Sequence, residues 1–76
     1  MVVTIEDIVK LVGLQLGKRG VQPSHRIVED LGAESGDIIN IMATVEERFG
    51  VFIDEAEIGR LRTVEELYHA VRQHLA

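Results

Sequence analysis

The stretch from Glu29 to Gly50, EDLGAESGDIINIMATVEERFG, constrains the fold more than any other part of the chain. Ile38, Met42, Val45 and Phe49 recur at steps of four, three and four, and Ile41 shares their stripe, so the segment reads as a helix with one apolar face turned inward. Gly50 ends it. A tight turn through Leu31, Gly32 and Ala33 delivers a lone serine, Ser35, to its first turn. Acidic residues crowd that serine: Glu29, Asp30 and Glu34 before it, Asp37 after it.

Such a helix needs apolar partners, and the rest of the chain supplies them. Thr4 followed by Asp7 has the spacing of a capping box and opens a first helix that Gly17 closes. Its expected buried stripe is Ile5, Ile8, Val9, Val12 and Leu16, with Leu11 and Leu14 off the stripe and partly exposed. Lys18 to Ala33 shows no sustained period and reads as a long loop, anchored by Val21, Ile27, Val28 and Leu31. After Gly50, Val51 and Ile53 are expected to dock on the core, with Phe52 between them pointing outward. Asp54 with Glu57 opens a short helix to about Leu61; Thr63 with Glu66 opens a last one, striped by Val64, Leu67, Val71 and Leu75. The expectation is an all-α fold, a small four-helix bundle of three longer helices and one short one, with a long loop between the first and second.

Seventy-six residues allow a single domain, residues 1–76, close to the lower limit for an independent core. There is no cysteine, which removes disulfides, thiolate nucleophiles and thiolate metal sites and suits a reducing cytoplasm. The apolar runs are far shorter than the ~20 residues of a membrane span, and no signal-peptide pattern opens the sequence, so a soluble cytoplasmic protein is expected. Net charge is −5, and from Glu29 to Glu57 nine acidic residues face one basic residue, Arg48. That balance argues against nucleic acid and favours partner proteins with basic surfaces.

Catalytic readings fare poorly. Ser35, His25 and Asp30 could be assembled into a triad, but no strand precedes the serine and Gly-Ala-Glu-Ser-Gly lacks nucleophile-elbow spacing. His69 and His74 are five apart, and His25 lies in the loop, so no helical metal pair exists; all three read as solvated surface histidines. Glu46 and Glu47 diverge around their helix and form a charged outer face. Taken alone, Ser35 reads as a helix cap whose hydroxyl accepts a backbone N–H.

The whole string says more. Glu29, Asp30, Leu31, Gly32, Ala33, Ser35 and Asp37, then Glu46, Glu47, Phe49 and Gly50, resemble the signature of the acyl carrier protein family, an EDLGADSLD-type turn and a helix ending EEEFG. Lys10 to Gly17, then Val51, Ile53, Arg62, Thr63 and Val64, continue the resemblance over essentially the whole chain. It implies a carrier, not an enzyme, with 4′-phosphopantetheine attached covalently to Ser35 and acyl intermediates held as thioesters on that arm. Implied partners are a phosphopantetheinyl transferase and acyl-transfer, condensing or acyl-activating enzymes with basic docking surfaces, met by a monomer. Docking is expected through Glu34, Gly36, Asp37, Ile39, Ala43, Glu46 and Glu47.

The departures cluster at the serine. Glu34 replaces the family's usual aspartate, Gly36 its leucine, Asn40 a glutamate, and Ile39 and Ala43 stand where valine and methionine are common. They point to a specialised carrier in a fatty-acid or related polyketide pathway. The alternatives are an unmodified interaction module of the same fold and an aminoacyl or peptidyl carrier.

Overall fold

The computed structural model describes residues 2–75. Among them are four helices: α1 (Ile5–Leu16), α2 (Ser35–Phe49), α3 (Glu55–Ile58) and α4 (Val64–Leu75). α1 packs against both α2 and α4, and α2 also meets α4. The core is aliphatic. Ile8, Leu11, Val12, Ile41, Val45, Val64, Leu67 and Val71 are its fully buried side chains, and among the described residues no polar or charged one is buried with them.

Local chemistry sets the helix starts. The Thr4 hydroxyl accepts from the Asp7 N–H at 3.1 Å while the Asp7 carboxylate accepts from the Thr4 N–H at 2.9 Å, a reciprocal capping box. Thr63 and Glu66 repeat it at α4, at 2.9 and 3.1 Å. Those backbone N–H groups hold the Asp7 and Glu66 carboxyls below their usual pKa. Gly17 and Gly50, at φ 65° and 68°, end α1 and α2 in the left-handed region that other residues avoid.

Several expectations need correcting. Leu11 is 1% exposed, not partly exposed, because α1 is covered on two sides and its apolar stripe is wider than one row. Ile5, Val9 and Leu16 are the half-buried flank instead, while Leu14 does face outward. Val28 is exposed and anchors nothing; Val21, Ile27, Leu31 and also Ala33 are the buried anchors. α3 stops at Ile58 rather than about Leu61. His25 is not freely solvated: it is half-buried, and its Nδ1 accepts from the Gln22 N–H at 2.9 Å.

The long loop is stitched to the far end of the chain. The Ile27 N–H donates to the Arg62 carbonyl at 2.8 Å, Val64 to His25 at 3.1 Å and Glu65 to Pro23 at 2.9 Å. Residues 26–33 then form a hydrogen-bonded turn that leads directly into α2.

Candidate functional site

The turn ahead of α2 is held by one bidentate pair. Arg26 Nη2 donates to Asp30 Oδ1 at 3.0 Å, and its Nε and backbone N–H donate to Oδ2 at 3.1 and 2.7 Å. The guanidinium, aided by that backbone N–H, brings the Asp30 carboxyl down to a pKa of about 2, and Asp30 in turn raises that of Arg26. Asp30 is thus a fastener of the turn, not a member of a catalytic group.

Ser35 is the first residue of α2, and Glu34, with extended backbone, is the cap position. The cap is filled without the serine: the Asp37 carboxylate accepts from the Glu34 N–H at 2.9 Å. This corrects the reading of Ser35 as a cap. Its hydroxyl is left exposed at the end of the helix where backbone N–H groups concentrate positive potential.

Beside it runs a groove of about 580 Å³ between α2 and the α3 segment. Ser35, Ile39, Ala43 and Glu46 follow one face of α2 along it, and Phe52, Ile58 and Gly59 form the opposite side. Ile38 and Met42 make its floor and also border a smaller void of about 20 Å³ that reaches Ile41 and Leu67 in the core. Ile39 and Phe52 are each 68% exposed, so the groove has an apolar lip.

The structure therefore gathers Ser35, Ile39, Ala43 and Glu46 around one feature. Glu34, Gly36 and Glu47 are exposed but outside it, and Asp37 is half-buried and engaged in the cap. Met42, Ile38 and Ile58 were legible only as core residues. Phe52, an apolar side chain between two docking positions, was the one advance sign that this edge differs.

A family described as the phosphopantetheine attachment site matches residues 6–71. The acyl carrier protein of Syntrophobacter fumaroxidans is 32% identical over 71 residues, covering 91% of this chain and 88% of its own length. Those of Helicobacter hepaticus and Nitratidesulfovibrio vulgaris are 32% and 36% identical over 66 and 63 residues, covering 84% and 80% of this chain and 87% and 83% of theirs.

The chain belongs to the acyl carrier protein family. It is a carrier and not a catalyst, and its covalent group is 4′-phosphopantetheine. The residues present fit that group: an exposed hydroxyl not used by the cap, with no side chain on Gly36 to crowd it and the N–H groups of the first turn of α2 placed to favour a phosphodiester. No helix among the described residues is long and apolar enough to cross a membrane.

Proposed function

We propose that Ser35 is the attachment site and that the protein is a cytoplasmic carrier of apolar acyl chains, serving a fatty-acid or related specialised pathway. The observation that carries this reading is an unengaged serine hydroxyl at the tip of α2, opening onto an apolar groove. In the loading step a transferase moves the phosphopantetheinyl group from coenzyme A. The bond from phosphorus to Ser35 Oγ forms, the pyrophosphate bond of coenzyme A breaks, the serine proton is lost and adenosine 3′,5′-bisphosphate leaves.

The lining favours one class of cargo. Ile38, Ile39, Met42, Phe52 and Ile58 offer aliphatic and aromatic surface to a hydrocarbon chain, and the only charged residues in the lining, Glu46 and Glu55, are exposed. Glu34, Glu46 and Glu47 supply exposed negative charge for enzymes with basic surfaces, Asp37 adds a fixed charge at the helix start, and Ile39 and Ala43 are apolar contacts between them. Gly36 leaves open space beside the serine for a transferase to approach.

Incubation with coenzyme A and a broad-specificity phosphopantetheinyl transferase tests the assignment by intact mass. One phosphopantetheinyl group is expected on the parent and none on Ser35→Ala. An unchanged parent mass, or a group retained by Ser35→Ala, would overturn the assignment of Ser35.

A further inference from the structure

The charges of this chain are segregated along its length. From Ile8 to Val28 there is no acidic residue, and Lys10, Lys18, Arg19 and Arg26 all lie there, half of the eight Lys and Arg. Arg26 is paired with Asp30. Lys10, Lys18 and Arg19 are exposed and enter no ion pair among the described residues.

These three cations rim a groove of about 600 Å³ between the last turns of α1 and the reversal that follows. Its floor is Gly13, where a Cβ would meet the Lys18 carbonyl oxygen at 3.0 Å and Val21 Cγ2 at 3.6 Å. The Lys18 N–H donates to the Gly13 carbonyl at 2.9 Å, and Val21 is buried as the far wall. Leu14 stands on the lip, 80% exposed. An exposed leucine ringed by unpaired cations is a surface that acidic protein covers well: the apolar contact supplies affinity and the charges supply orientation. Three cations on a chain of net charge −5 give a nucleic acid little to hold.

We propose that this groove is a second docking surface and that its occupant is an acidic segment of a partner protein, rich in aspartate or glutamate, which lays one apolar side chain against Leu14. Its lining includes no residue of α2. The carrier can therefore be held by α1 while Ser35 and the acidic face remain free, and the two docking events, opposite in charge, do not compete.

The test uses the unmodified full chain, isotope-labelled for amide NMR. It is titrated with a synthetic helical peptide carrying glutamates around a single leucine, and separately with the twin in which every glutamate is lysine. The acidic peptide is expected to shift amides of residues 9–21. Its binding should weaken at least about tenfold in Leu14→Glu, in Lys18→Glu, and on raising salt from about 50 to about 500 mM.

Absence of shifts at about 1 mM peptide, shifts on α2 instead, or equal binding of the lysine twin would overturn the proposal. So would sedimentation showing self-association relieved by Lys18→Glu, which makes the occupant a second copy, or retention through the same residues on vesicles of phosphatidylcholine and phosphatidylglycerol with no peptide binding. Each variant must unfold at the parent's midpoint; Arg19→Glu replaces one that does not. Because the readout is from unmodified protein, failure of Ser35 to take its group leaves this test intact.

Discussion

Gly36 has helical backbone one residue past Ser35, and a Cβ built on it meets nothing within 4 Å. Neither conformation nor space requires glycine there, so Gly36→Ala is expected to raise stability by about 0.5–1 kcal/mol, read as a higher urea midpoint at unchanged slope. A lower midpoint would mean that a methyl group at this position meets a neighbour. Asp30 makes the opposite kind of prediction. Its folded pKa, about 2, lies below the ordinary carboxylate value, so its pairing with Arg26 stabilises the fold at neutral pH and is lost as pH falls from about 4 to about 2. Asp30→Asn should lower the thermal midpoint at pH 7 and make it fall less steeply across that acidic window. Parallel profiles for the two proteins would rule the pairing out.

At the scale of elements, α3 is the exception. It has four residues, none buried, and is held by its Asp54 cap, by half-buried Ile58, and by a 2.8 Å contact between Glu57 and His74 of α4. Asp54→Ala should speed hydrogen exchange of amides 55–59 while moving the global midpoint by only about 1 kcal/mol or less. Uniform acceleration across α1 and α4 would show that α3 is part of the cooperative core. The elements differ in how far the sequence announces them. α1 and α4 have spaced apolar residues and capping pairs, both local signals, and each is found where those signals put it; α2 follows its apolar spacing, but its cap is the Glu34–Asp37 pair and not Ser35. What spacing alone does not convey is coverage from two sides, which buries Leu11, or which loop residue turns inward, where Ala33 is buried and Val28, expected as an anchor, is exposed. The place of Ser35 at the start of α2 was legible from its motif. The groove beside it was not, because it is formed where α2 meets a segment distant in sequence.

For the whole molecule, a chain of this length holds roughly 4–11 kcal/mol of stability. Leu11→Ala removes a fully buried side chain and should cost about 2–5 kcal/mol, a large share of the total, whereas Leu14→Ala, three residues on and facing outward, should stay within about 0.5 kcal/mol. Denaturant titration of the pair checks both, and equal losses would contradict the packing of α1 between α2 and α4. The stitching of the long loop to the start of α4 reaches beyond stability. The ledge that presents Ser35 is fastened by backbone groups of Arg62, Val64 and Glu65, which are synthesised well after the serine itself. On the ribosome, then, a nascent chain has its serine early but the shape around it only once the start of α4 has emerged.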